Sequence, residues 1–331
     1  MMSGIVLRIG LNPYGLTYYL GLQGRGTPRE NPRGRGLEGF LEIAVELGAR
    51  TLEIHNAWLV EKTGEQLQAL GERLMSLGME PVISLGPPLE SVETALRSAA
   101  GVGAKVIRLG LTPVLSGARA ECATWPELVG HARATLREFA PRAEALGITL
   151  AIEDHQDLGS QELLDFCEEA GHGTGICLDT GNSLAVGEAP IEFTRRVAPL
   201  VRHVHLKDYN SQWTDDGYRL VRCAIGDGAV PFAEIAGILR EHHASLTASI
   251  EPGALEARHI RLFRPEWWQG YAPRSAAELG PCLTAARRAR LAEDADWRTP
   301  WEKQEDSEAL IRYELEMIRR SAENIRRIRL R

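Results

Sequence analysis

Short runs of aliphatic and β-branched residues recur along this chain, each followed by a longer stretch whose apolar positions repeat with the period of a helix. Such alternation is the mark of βα units feeding a parallel sheet. The apolar runs predict strands at Val6–Leu11, Thr51–Ile54, Glu80–Leu85, Lys105–Leu109, Thr149–Glu153, Gly175–Asp179, Val201–Lys207 and Leu246–Glu251. Between them the spacing predicts helices over Gly64–Leu77, Leu89–Ala100, Pro126–Leu146 and Ser160–Glu169, and a closing helix from about Glu305 to Ile328. The triplets Glu46-Leu47-Gly48, Ser76-Leu77-Gly78, Ala145-Leu146-Gly147 and Glu169-Ala170-Gly171 put glycine at a helix end, where a left-handed cap is wanted. Eight units in near-regular succession predict an α/β fold, a (β/α)8 TIM barrel, in preference to a doubly wound sheet.

Three stretches exceed a minimal barrel loop: Gly21–Gly36 after the first strand, Asp208–Val230 after the seventh, and the segment 252–303 after the eighth. On a barrel all three crown the carboxyl-end face, where active sites sit. The chain, 1–331, therefore reads as one barrel domain, with 252–303 inserted before the C-terminal helix. Arg25, Arg29, Arg33 and Arg35 suit a carboxylate or phosphate clamp, and equally an exposed lid. Trp267, Trp268, Tyr271, Trp297 and Trp301 read as packing, or as contact with a second copy or a partner subunit through the loop face.

Composition removes several alternatives. Hydrophobic residues at 44% and charged ones at 25% match a globular chain. A net charge of -7 disfavours a nucleic-acid surface. The cysteines Cys122, Cys167, Cys177, Cys223 and Cys282 are scattered, with no C-x-x-C pair, which suits a reducing cytoplasm. The amino-terminal apolar run Ile5–Leu11 is broken by Arg8, too short for a signal peptide, and no stretch reaches membrane-span length. Gly101-Val-Gly103 precedes a strand, whereas a dinucleotide fingerprint follows one, so no nicotinamide cofactor is expected.

Four strand ends carry metal-binding groups: Glu153, Asp179, His205 and Glu251. The first three are one βα unit apart, since 179 − 153 = 26 and 205 − 179 = 26, and the longer last gap is accounted for by the Asp208–Val230 stretch. Three carboxylates and one imidazole select a hard divalent ion: manganese first, with magnesium, cobalt or zinc as alternatives. Around them His155, Asn182, Lys207, His55 and Arg108 are placed as substrate contacts. Lys207 suits either an anionic intermediate or pairing with Asp208, and His203 is expected to point outward.

The runs Ile152-Glu153-Asp154-His155, Leu178-Asp179-Thr180-Gly181-Asn182, His203-Val204-His205-Leu206-Lys207-Asp208 and Ile250-Glu251-Pro252-Gly253 resemble the xylose isomerase-like sugar phosphate isomerase/epimerase superfamily, over roughly residues 5 to 251. The resemblance implies that Glu153, Asp179, His205 and Glu251 hold one metal and that Glu153 and Glu251 also move protons through a metal-bound enediolate of a sugar. Asn182 departs from the histidine frequent at that position, although an amide still reads a hydroxyl. A lyase acting on a 3-oxo sugar or sugar acid by dehydration, decarboxylation or aglycone release would use the same four ligands. An abasic-site endonuclease fits poorly, because Arg108 and Asn182 stand where that chemistry needs histidines. A non-catalytic sugar binder leaves two acidic proton carriers unexplained.

Overall fold

The computed structural model describes residues 6–87 and 89–328; Ile5, which opens the expected amino-terminal run, lies outside them. Eight parallel strands close into a barrel in the order β1-β10-β7-β6-β5-β4-β3-β2. They are β1 (Val6–Leu11), β2 (Thr51–His55), β3 (Glu80–Leu85), β4 (Val106–Leu109), β5 (Thr149–Glu153), β6 (Thr174–Asp179), β7 (Val201–Leu206) and β10 (Ser245–Ile250). Each expected strand is present, displaced by at most one residue at an end. Lys207 and Glu251, expected as terminal strand residues, lie one position beyond β7 and β10.

Helices α1 (Gly36–Leu47), α2 (Gly64–Ser76), α3 (Val92–Val102), α4 (Trp125–Ala145), α5 (Ser160–Ala170), α6 (Pro190–Val197) and α7 (Phe232–His242) alternate with the barrel strands. Gly48, Gly78 and Gly147 end α1, α2 and α4 at φ of 68°, 69° and 65°, a left-handed conformation glycine adopts without strain. Gly171 ends α5 differently, with φ 87° but extended ψ of -161°. Closure is tightest between β1 and β2, where a Cβ on Gly10 would stand 1.6 Å from the Thr51 carbonyl oxygen. Only glycine allows that approach.

Alternate positions on the strands do different work. Leu52, Ile54, Ile83, Ile107, Leu150, Ile152, Ile176, Leu178, Val204 and Leu206 join the main apolar core with the surrounding helices. The intervening positions face the interior, several of them polar: Glu53 on β2 reaches His203 and His205 on β7, strands that are not neighbours and can meet only through the lumen. This corrects the outward placement of His203. Residues two apart on a strand share a face, so His203 points inward with His205, fully buried.

The stretch after β7 is a hairpin, β8 (Tyr209–Thr214) and β9 (Gly217–Arg222), extended by β11 (Arg258–Ile260) into a three-stranded antiparallel sheet. Asp208 pins its base by accepting the N–H groups of Tyr209, Gly226, Gly228 and Val230. Asp208 is therefore no partner of Lys207. Tyr218, Trp267, Cys282 and Ala286 form a second small core between this sheet and α8 (Ala276–Arg288).

Helix α9 (Ser307–Ile328) closes the barrel. Its buried Glu314 accepts the Thr17 hydroxyl and the Tyr18 and Tyr19 N–H groups, anchoring the loop after β1. In that loop Arg29 stacks 3.6 Å from the Trp301 ring centroid and Arg35 pairs with Glu42. No helix among the described residues is long and apolar enough to cross a membrane.

Candidate active site

Each candidate ligand is carried to one point by burial of the apolar run before it. Glu153 and Asp179 end β5 and β6, His205 is the penultimate residue of β7, and Glu251 follows β10. All four are buried, and they offer donor atoms that lie within 4.8 Å of one another. His205 Nδ1 stands 2.9 Å from Glu153 Oε1 and 2.6 Å from Glu251 Oε2. One ring nitrogen cannot donate a proton to both. Glu153 Oε2 and Glu251 Oε2 are buried without an aligned hydrogen bond. Buried carboxylate oxygens in that condition are costly unless a cation meets them, so the donor set fits a divalent ion.

Lys207 completes the cluster, its Nζ 2.6 Å from Asp179 Oδ2 and 2.8 Å from Glu251 Oε1. Against burial, these two carboxylates hold the ammonium well above its ordinary pKa. Burial pushes Asp179 up to about 6 although Lys207 opposes it. Burial would raise Glu251 as well, but Lys207 and His205 outweigh it and leave that carboxyl below its usual range. Two of the three acids thus share one neutralising cation.

Arg108, on β4, lies between Glu53 Oε1 at 3.4 Å and Glu153 Oε2 at 3.5 Å. Burial raises the Glu153 carboxyl, yet Arg108, His155 and His205 together hold it well below the ordinary range. Glu53 escaped the sequence reading. Its Oε2 lies 2.7 Å from His205 Nε2 and 3.2 Å from His203 Nε2, so Glu53 is placed to accept a proton carried on His205 Nε2, on the far side of the ring from the acids that face Nδ1. The available signal was the two-residue step from Glu53 to His55, which places both on the inner face of β2.

The remaining expected contacts are gathered less tightly. His55 Nδ1 accepts the Ala57 N–H, and its ring packs 6.0 Å from Tyr14 and 6.1 Å from Trp58, making it part of an aromatic wall. Tyr14, also missed, lies with its ring 5.2 Å from the Arg108 guanidinium. His155 is half-buried, with Nδ1 lacking a partner among the described residues. Burial lowers its pKa, with Glu153 pulling the other way. Asn182 is held from the backbone side, its N–H donating to Asp179 Oδ1 at 3.0 Å. Its side chain meets Gln156 and Tyr209, neither anticipated. The tryptophans pack: Trp267 donates to the Ser116 carbonyl and Trp268 to that of Leu262.

Comparison with known proteins adds an independent line. A model of the xylose isomerase-like TIM barrel family matches residues 41–267. A 3-oxo-isoapionate decarboxylase of Pectobacterium atrosepticum is 25% identical over 227 residues, which is 66% of this chain and 78% of that protein. Among solved structures, a D-allulose 3-epimerase from Methylomonas sp. is 16% identical, with a TM-score of 0.55 over 99% of this chain and 100% of its own. A xylose isomerase domain protein from Planctomyces limnophilus is 24% identical, with a TM-score of 0.50 over 64% of this chain and 86% of its own. The two structural likenesses concern the fold.

Proposed function

The chain belongs to the xylose isomerase-like TIM barrel family, and from that premise we propose a divalent-metal-dependent sugar isomerase or epimerase in which Glu153 and Glu251 move the proton. The observation that carries this reading is the convergence of Glu153 Oε1 and Glu251 Oε2 on His205 Nδ1, at 2.9 and 2.6 Å. Glu153, Asp179, His205 and Glu251 would hold the ion, with manganese preferred for this oxygen-rich set and magnesium, cobalt or zinc as substitutes. Such an ion supplies Lewis acidity to a carbonyl and its neighbouring hydroxyl, acidifying the adjacent C–H.

The chain's own groups then divide the work. Glu153, kept ionised by Arg108, removes the proton from the sugar carbon. Glu251, kept ionised by Lys207, stands ready on the other side to exchange a proton with the neighbouring position. Arg108 and Lys207 add positive charge where the enediolate gains negative charge. His155 and His55 line the approach and orient hydroxyls, and Asn182 meets a substrate oxygen. Acid–base catalysis of this kind is worth about 10²–10⁴-fold.

A second reading has a specific observation behind it. Lys207 brings a buried ammonium between Asp179 and Glu251, suited to a substrate carboxylate, and the similar protein from Pectobacterium is named a decarboxylase. An enediolate with a leaving group on the neighbouring carbon would expel it with its electron pair, as water or an aglycone alcohol once protonated. A 3-oxo acid would instead lose carbon dioxide and leave that bond's electron pair on the α carbon as the enediolate, which a proton then quenches. Incubation with ketoses, 3-oxo sugars and sugar acids, read by mass and stereochemistry, separates the two: unchanged mass with altered stereochemistry supports isomerisation, and lost mass supports a lyase. Glu153→Gln should keep the fold and reduce turnover by at least about 10²-fold. Full activity in this variant, or after exhaustive chelation, overturns both readings.

A further inference from the structure

We infer that Gln156, a positioning residue, together with the loop after β4, locks the Asn182 amide in one orientation, so that it presents only hydrogen-bond donors to the substrate and reads there an acceptor, a carbonyl or carboxylate oxygen. This deepens the proposed function and rests on it only for the ligand being a sugar derivative.

The argument starts from a group that cannot be inverted. The backbone N–H of Ser116 donates to Gln156 Oε1 at 3.1 Å, which makes the other end of that amide a donor. Gln156 Nε2 lies 3.1 Å from Asn182 Oδ1 and 3.3 Å from the Tyr209 hydroxyl oxygen. Tyr209, accepting from Gln156, gives its own proton to Asn182 Oδ1 at 3.2 Å. Both lone pairs of Asn182 Oδ1 are then filled. Asn182 Nδ2 is buried, its residue 1% exposed, and has no partner among the described residues. A buried donor left unmet is costly. The backbone N–H of Asn182 is bonded to Asp179 Oδ1, which holds the residue beside the acid cluster.

The relay is held under strain from outside. Ser116 and Gln156 both carry positive φ, 58° and 76°, uncommon for residues with side chains. Their conformation is fixed by the Gly117 N–H donating to the Gln156 carbonyl at 2.8 Å, Trp267 Nε1 donating to the Ser116 carbonyl at 3.0 Å, and the Tyr271 hydroxyl donating to the Gly117 carbonyl at 3.0 Å. A Cβ on Gly117 would stand 2.3 Å from the Trp267 ring. The tryptophan-rich segment thus sets the polarity of Asn182 without touching the substrate. A donor fixed in advance stabilises an oxygen that gains negative charge, as an oxyanion hole does.

Gln156→Glu inverts the relay. One carboxylate oxygen still accepts from Ser116, the other faces Asn182, and the amide turns to present Oδ1 to the substrate. Asn182→Asp removes the donor directly. The probes are dihydroxyacetone and glycerol, which differ only in a central carbonyl or carbinol, with affinity followed by ligand-observed NMR in the presence of Mg2+. Wild type should favour dihydroxyacetone, and either folded variant should lose that preference by about tenfold. No preference in wild type, or wild-type preference in both variants with unchanged melting, overturns the inference. Failure of the turnover panel alone would sink the proposed reaction and leave this binding result standing.

Discussion

Strands β5, β6, β7 and β10 deliver Glu153, Asp179, His205 and Glu251 at their carboxyl ends or just beyond, whereas in the other run of four strands β2 delivers Glu53 from mid-strand and β4 delivers Arg108 from its penultimate position. The difference in position around the barrel is a difference in role. Groups at the rim can reach an ion and a substrate arriving from solvent. Glu53 and Arg108 act on those groups in turn: Glu53 on the far nitrogen of His205, and Arg108 on the charge of Glu153. One half of the barrel holds the candidate ligands, and Glu53 and Arg108 from the other half join Lys207 in setting their proton and charge states.

Breaking that link is the strongest test of the comparison. Glu53→Gln keeps the size of the side chain and removes its charge, so manganese affinity measured by calorimetry should fall about 10–100-fold with the fold intact. Unchanged affinity would mean that the two halves act independently.

A smaller effect distinguishes the pocket from the loops that frame it. Burial pushes Asp157 up to about 7 although the Thr112 hydroxyl and Arg119 pull it down. In the unfolded chain an aspartate titrates near pH ~4. Between those values the fold retains a proton that the unfolded chain releases, so stability falls as pH rises through the window and is level below it. Asp157→Asn removes the titrating group. Unfolding free energies from urea titrations at pH 5 and pH 7.5 should differ by about 2–3 kcal/mol less in the variant than in wild type. An equal pH dependence in both would assign the loss to other groups.

Legibility followed the same division by position. Strand ends are readable because an acid that closes an apolar run is conspicuous, and Glu153, Asp179, His205 and Glu251 do come together. Glu53 is a lone acid inside an apolar strand, visible only when the period of two is applied strictly. The same rule corrects His203. Lys207 was recognised as a site residue, but its partners are Asp179 and Glu251, since Asp208 is spent on the hairpin base. The relay through Ser116, Gln156 and Tyr209 left no mark in the sequence, because it depends on where the segment carrying Trp267 and Tyr271 folds back.

The claim that Glu153, Asp179, His205 and Glu251 hold one divalent ion is tested most directly by anomalous diffraction from crystals grown with manganese. The account predicts a single strong peak at ligand distance from His205 Nδ1 and from a carboxylate oxygen of Glu153, Asp179 and Glu251. No peak there at saturating manganese, with Lys207 still bridging Asp179 and Glu251, would contradict it.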